Sequence, residues 1–318
     1  MERTILGRTG LSVSIAGLGC GGHSRLGKGY GAVDRDAICV VRAAIESGVN
    51  FIDTARSYGT EEIVGQAIAG HRDQIVISTK SPIVRPGSSA LGDQFLTRAE
   101  FVNSVEASLK RLATDYIDIL HLHGVMTNQY KYCRNELVPA MLQLRRQGKI
   151  RFLGLTERFI YDPQHTMLEQ ALNDDCWDVV MVGFNMINQS ARQRVFARTT
   201  QKNIGVLNMF AVRRALSRPG ALSELVAEMI ESGLIDPATL VADDPLGFVM
   251  EISDADTIVE AAYRYCRHEP GTDVILSGTG SIDHLAENLM SMQKGPLPKA
   301  CLERLQEIFG EIDSVSGE

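Results

Sequence analysis

A carboxylate and a phenol stand five residues apart in GVNFIDTARSYG, residues 48–59. The apolar run Val49, Phe51, Ile52 reads as a strand delivering Asp53 at its end, and the short loop beyond it delivers Tyr58. An anion near a potential proton donor is a pairing that tunes acid–base chemistry. Asp followed by Thr, Arg, Ser and Gly is also ordinary turn chemistry, so the pair alone decides nothing. Two further groups occupy comparable places: Lys80 after QIVIST (74–79) and His123 after IDILHL (117–122). An ammonium beside a phenol stabilises the tyrosinate and lowers its pKa from about 10, while a carboxylate holds the ammonium charged. An imidazole opposite can donate a hydrogen bond to a carbonyl oxygen. Such a set permits proton transfer to or from an oxygen. That suits carbonyl reduction, with hydride arriving at carbon and Tyr58 protonating oxygen, or its reverse.

The elements that must position these groups alternate. Residues 3–13 read as a hairpin around Gly7-Arg8-Thr9-Gly10, and Ile15–Leu18 as a short strand ending in Gly19-Cys20-Gly21-Gly22. The glycines fit a backbone close to a ligand, but no GxGxxG opens a helix there. Helical spacing then covers 34–47, and a strand covers 49–53. The alternation continues through a helix from Thr60, strand 74–79, a helix from Thr97, strand 117–122 and helix 136–147. Next come strand 150–155, helix 163–173, strand 178–182, helix 188–200 and strand 204–209. An irregular section, 211–252, holds a helix near 221–232. Helix 254–267, strand 273–277, helix 281–293 and a further helix 298–312 finish the chain. Eight strand–helix units in one 318-residue domain predict a (β/α)8 TIM barrel. The N-terminal β-hairpin and the helices near and at the C-terminus are additions to it.

Composition sets the class. Apolar residues make up 44% and charged residues 22%, as in an ordinary water-soluble globular chain. A net charge of −7 argues against a general nucleic-acid binder. Six scattered cysteines without a CxxC pair predict free thiols in a reducing compartment. Met1-Glu2-Arg3-Thr4 shows no signal-peptide core, and no apolar run is long enough for a membrane span, so the expectation is a cytoplasmic protein without a membrane partner. Oligomeric state is not encoded in any pattern here.

His121 and His123 share one strand face, and an HxH pair can bind metal. A metallohydrolase needs a third ligand, and the remaining histidines fall at no further strand end. The expectation is no metal, with His121 structural.

Across nearly all eight units the chain resembles an aldo-keto reductase. The resemblance lies in LGRTGLSVS (6–14), GVNFIDTARSYGTEEIVGQAI (48–68), ISTK (77–80), SLKRLATDYIDILHLH (108–123), GKIRFLGLTE (148–157) and GTGSIDHLAEN (278–288). It implies a catalytic four of Asp53, Tyr58, Lys80 and His123, and a nicotinamide dinucleotide bound extended without a Rossmann motif. The implied cofactor contacts are Gly22, Asp53, Thr156, Glu157, Met181, Met209, Gly278, Thr279, Gly280, Ser281, His284, Glu287 and Asn288. Several depart from the family pattern: Glu157 stands where Asn is frequent, Met181 where Gln is common, and Met209 in place of an aromatic ring. Gly278-Thr279-Gly280-Ser281 offers backbone N–H groups at a helix start for phosphate. Gly278 and His284 leave the expected 2′-phosphate position without a cation, although Arg213 or Arg214 could supply one. NADP(H) is expected from family frequency, with NAD(H) next. The loops 81–97, 124–135 and 211–252 are expected to line the substrate pocket. Their Arg85, Asp93, Gln129, Tyr130, Tyr132 and Arg134 favour a hydroxylated carbonyl or sugar substrate. A cofactor-binding regulatory subunit with little turnover is the alternative.

Overall fold

The computed structural model describes residues 1–241 and 243–318. An antiparallel hairpin, β1 (Arg3–Ile5) and β2 (Ser12–Ser14), opens the chain, with Ile5 opposite Ser12. Eight parallel strands follow: β3 (Ala16–Gly19), β4 (Phe51–Asp53), β5 (Val76–Ser81), β6 (Ile117–Val125), β7 (Ile150–Glu157), β8 (Val179–Gly183), β9 (Gly205–Met209) and β10 (Val274–Ser277). They pair in chain order, and β10 closes the barrel against β3.

The early helices are α1 (Asp34–Glu46), α2 (Glu61–Ala67), α3 (Arg98–Leu112), α4 (Thr127–Tyr132) and α5 (Val138–Arg146). After them come α6 (Thr166–Ala171), α7 (Ala197–Lys202), α8 (Arg214–Ser217) and α9 (Ala221–Glu231). The last four are α10 (Gly247–Ile252), α11 (Ile258–Arg267), α12 (Ile282–Gln293) and α13 (Lys299–Phe309). The expected (β/α)8 barrel with an added hairpin and extra helices is the architecture found. No described helix is long and apolar enough to cross a membrane.

Strand alternation decides what enters the barrel. One face of the strands sends Phe51, Val76, Ile119, Val179, Met181, Leu207 and Val274 into a buried interior cluster. Leu6, Leu11 and Val13 of the hairpin join that cluster, so the hairpin plugs the N-terminal mouth. Arg8 N–H donates to the Asn203 carbonyl at 2.5 Å and fixes the plug beside β9. Full burial of a side chain such as Phe51 contributes about 2–3 kcal/mol. With one mouth closed, only the C-terminal end is left open for chemistry.

One expected loop and one expected helix are structured differently. The segment 124–135 is not irregular: α4 begins at Thr127 and runs into α5 through a π-turn at Cys133–Leu137. The expected helix 188–200 opens instead with a π-turn at Arg192–Phe196, which precedes α7. β6 also runs past His123 to Val125, with a register shift against β7 between Leu122 and Val125.

Candidate active site

β4 ends at Asp53, whose carboxylate is buried and accepts two side-chain hydrogen bonds. Lys80 Nζ donates to its Oδ2 at 2.5 Å, and Ser78 Oγ donates to its Oδ1 at 2.8 Å. Both donors project from β5 on one face, two residues apart, as strand alternation requires. Lys80 Nζ also donates to the Thr54 carbonyl at 2.9 Å, and its side chain is 1% exposed. A 3-10 turn at Arg56–Tyr58, ended by Gly59 at φ 71°, brings Tyr58 back over the strand ends. Lys80 Nζ lies 4.8 Å from the centre of the Tyr58 ring. The His123 ring meets the Tyr58 ring edge-on at 5.6 Å between centroids. Gly21 is needed for this packing, because a Cβ there would fall 2.5 Å from the Tyr58 ring. The structure thus brings Asp53, Tyr58, Lys80 and His123 together.

Their electrostatics favour neutral, proton-bearing partners around one ion pair. Burial acts to lower the Lys80 pKa, but Asp53 and Tyr58 outweigh it and the net direction is up. Burial pushes the Tyr58 phenol up as well, against the pull of Lys80. The expectation of a depressed phenol pKa is therefore reversed, because desolvation of a tyrosinate among its packed neighbours costs more than the nearby ammonium returns. Burial first, then Lys80 and Arg158, takes the His123 imidazole down to about 3. His123 is neutral at physiological pH and can donate or accept one hydrogen bond.

His121, in register with Lys80, sits one layer deeper and is fully buried. Neither of its ring nitrogens has a hydrogen-bond partner among the described residues. A Cβ on Gly154 would lie 2.2 Å from its Nδ1, so that glycine makes the space for the imidazole. No cluster of three His, Cys, Asp or Glu side chains among the described residues is arranged to hold a metal.

Two clefts of about 280 and 230 Å³ meet at Tyr58. The first runs along Gly19, Gly21, Gly22 and Gly278 to Arg213, Arg214 and Arg218, with Met181 and Met209 beneath it. The second holds Lys80, His123, Thr156, Glu157, Arg158, Phe159 and Tyr161. Phe210 borders both, in a left-handed conformation (φ 68°) that is unusual for a bulky residue. Its carbonyl accepts from Asn185 Nδ2 at 3.2 Å, and its ring lies under the Arg213 guanidinium at 4.1 Å. Arg213 in turn pairs with Glu318, which His23 also contacts at 2.8 Å.

The expected cofactor contacts divide. Gly22, Asp53, Met181, Met209 and Gly278 line the first cleft. Thr156 and Glu157 line the second, but their polar atoms are engaged. The Thr156 hydroxyl accepts from Gly124 N–H at 2.6 Å. The Glu157 carboxylate contacts His165 Nδ1 at 2.9 Å and accepts from Gly183 N–H at 2.7 Å. Asn288 Nδ2 donates to Ser277 Oγ at 3.0 Å. Ser281 caps α12 by accepting from His284 N–H, and Thr279 Oγ1 accepts from Ser281 N–H at 3.0 Å. Gly280 abuts Gly27, and Thr279, Gly280, Ser281, His284, Glu287 and Asn288 line neither cleft. Met181 and Met209 offer the first cleft an apolar face for a flat ring, and Arg213, Arg214 and Arg218 offer it positive charge for phosphates, whereas the turn at 279–281 lies outside it. These residues do not form an amide clamp.

The loop residues expected to face substrate do other work. Gln129 is buried, its Oε1 accepting from Met126 N–H at 3.0 Å and its Nε2 donating to the Gly92 carbonyl at 2.7 Å. Tyr130 OH donates to Asp174, and Tyr132 OH donates to the Leu96 carbonyl. Arg134 pairs with Asp174 and Arg85 with Glu100, and neither Asp93 nor any of these lines the two clefts. Sequence reasoning missed Arg158 and Phe159. The signal for Arg158 was a charged residue immediately after the Thr156-Glu157 strand end.

Comparisons with known proteins bear on the family and the fold. The family model described as "Aldo/keto reductase family" matches residues 18–309. L-galactose dehydrogenase of Arabidopsis thaliana is 37% identical over 164 residues, covering 49% of this chain and 48% of that one. The chain thus aligns with about half the length of that relative. Aldo-keto reductase YhdN of Bacillus subtilis is 28% identical over 90% of this chain and 88% of its own. Among solved structures, the holo form of aldo-keto reductase AKR11C1 from Bacillus halodurans superposes with a TM-score of 0.74. It is 23% identical and covers 96% of each chain, which shows a shared fold.

Proposed function

The chain belongs to the aldo-keto reductase family, oxidoreductases that use nicotinamide cofactors on small carbonyl compounds, and from that premise we propose that Tyr58 is its general acid and base. When bound, the cofactor supplies or accepts the hydride at the substrate carbon. Tyr58 gives its phenolic proton to the carbonyl oxygen during reduction and takes it back during alcohol or lactol oxidation. Lys80 stabilises the tyrosinate left behind, and Asp53 holds Lys80 charged and in place. Neutral His123 orients the carbonyl oxygen by hydrogen bonding rather than by charge. The observation that carries the reading is the buried Asp53–Lys80 pair at 2.5 Å with Lys80 against the Tyr58 ring.

The cofactor proposed is NADP(H), before NAD(H). Arg214 and Arg218 lie in the first cleft with no ion pair among the described residues, and the adjacent Arg213 carries the Glu318 bridge. They supply the positive charge that Gly278 and His284 lack. A hydroxylated substrate such as a sugar lactol is proposed, with support from the partial relationship to L-galactose dehydrogenase. The protein is proposed to act in the cytoplasm.

The test is oxidation of NADPH at 340 nm with a panel of aldehydes, ketones and free sugars, and the reverse assay with sugars. Turnover that needs no added metal and survives chelation is the expected result. Cofactor binding without turnover of any substrate would instead support a regulatory subunit.

A further inference from the structure

Among the charged side chains that line the second cleft, Arg158 stands apart. Asp53 neutralises Lys80, and Glu318 neutralises Arg213. Arg158 makes no side-chain hydrogen bond or ion pair with any described residue, and its Nε is buried and unpartnered. Arg134 and Arg267 also have an Nε without a hydrogen bond, but each guanidinium has an ion-pair partner, Asp174 and Glu2 respectively. The neighbouring carboxylate, Glu157, does not reach Arg158: both of its oxygens contact His165 Nδ1, and Oε1 also accepts from Gly183 N–H.

Position is as informative as charge. Gly124 has φ 61°, and a Cβ built on it would lie 3.1–3.2 Å from Cγ, Cζ and Nε of Arg158. The guanidinium therefore lies over the residue that directly follows His123, in the cleft that contains His123, Tyr58 and Lys80. A half-buried cation left without a partner is costly in a folded protein. A guanidinium is also the side chain whose planar fork matches a carboxylate or phosphate.

We propose that Arg158 is a specificity-determining residue that binds an oxyanion on the substrate, so that among hydroxylated carbonyl compounds this enzyme prefers those that also carry a carboxylate or phosphate. The assignment rests on the oxidoreductase reading above. The anionic group would lie on the Gly124 side of the reacting carbonyl and would supply the counter-charge that the folded chain withholds. Arg158 binds and orients; the proton still comes from Tyr58.

Initial rates with NADPH test this on two matched pairs: butanal with succinate semialdehyde, and glyceraldehyde with glyceraldehyde 3-phosphate. The wild type is expected to show at least tenfold higher kcat/KM for the charged member of one pair, and the pair concerned identifies carboxylate or phosphate. Arg158→Met should bring that ratio close to one, and Arg158→Lys should restore part of it. A readout without turnover is calorimetric titration with succinate, which has no oxidisable alcohol, and with inorganic phosphate in the presence of NADP+. At least one should bind the wild type, and Arg158→Met should weaken that binding at least tenfold. Equal ratios in wild type and Arg158→Met, no preference in either pair, or binding of neither anion by the wild type would each overturn the proposal. Reduction of butanal and glyceraldehyde without discrimination would leave the oxidoreductase reading standing and remove this one. Arg158-dependent anion binding with no aldehyde reduced would do the opposite.

Discussion

Lys80 is held from two sides, and removing either hold has a calculable effect. Its ammonium, 1% exposed, is paired with Asp53 at 2.5 Å. Asp53→Asn keeps the shape but leaves a buried cation without its counter-charge, which costs about 3–5 kcal/mol. Urea unfolding should show that loss together with impaired turnover; unchanged stability would mean that water, not Asp53, solvates the ammonium. His123 gives a pH dependence. Its folded pKa of about 3 lies below the unfolded value of about 6.5. Between these values the unfolded chain binds the extra proton, so stability rises with pH. The contribution is complete above about 6.5 and shrinks as pH falls toward 3. Between pH 7 and 5 the wild type should lose about 1–2 kcal/mol more than His123→Asn, read from urea unfolding at both pH values. Equal losses would mean that the imidazole is solvated. Side-chain types at three strand ends and in the loop after β4 were enough to nominate the four residues that the structure groups together. They were not enough for Glu157 or Thr156, because partner choice depends on His165, Gly183 and Gly124, which no local pattern links to them.

At the scale of elements, β6 and β7 fix the height of His123. His121 and His123 both point inward, and Gly154 on β7 makes room for the lower ring. Gly154→Ala places a methyl 2.2 Å from His121 Nδ1 and should cost about 1–3 kcal/mol through overpacking. Adding His121→Ala should recover most of that loss, measured by denaturant midpoints. If the double variant is no more stable than Gly154→Ala, the clash lies elsewhere. Strand positions were legible because alternation and β-branched runs are local signals. The helix beginning at Thr127 was not, because its turns are stabilised by tertiary bonds. Gln129 reaches the Gly92 carbonyl, and Tyr130 reaches Asp174. The same bonds remove the loop's polar residues from the substrate pocket, so a polar loop was mistaken for a polar site.

At the scale of the molecule, the hairpin plug and barrel closure leave one open end, and the two clefts there meet at Tyr58. The eight-unit count read from the sequence matches the closed barrel because the period of strand and helix is set by chain length and pattern, not by contacts. The cofactor's grip was less legible. The α12 start satisfies much of its own polar backbone, while the cations of the first cleft come from the segment after β9. NADPH should therefore exceed NADH in kcat/KM by more than tenfold, about 1.4 kcal/mol. Arg214→Ala with Arg218→Ala should cut that ratio. A tenfold preference for NADH would contradict this charge assignment.

The central claim is that Tyr58 moves the proton. The most direct measurement is single-turnover oxidation of bound NADPH by an accepted aldehyde in Tyr58→Phe, with cofactor affinity measured on the same sample by fluorescence quenching. The account predicts a rate at least about 1000-fold lower, the scale of a positioned acid, with cofactor affinity within threefold of wild type. A rate close to that of wild type would contradict it.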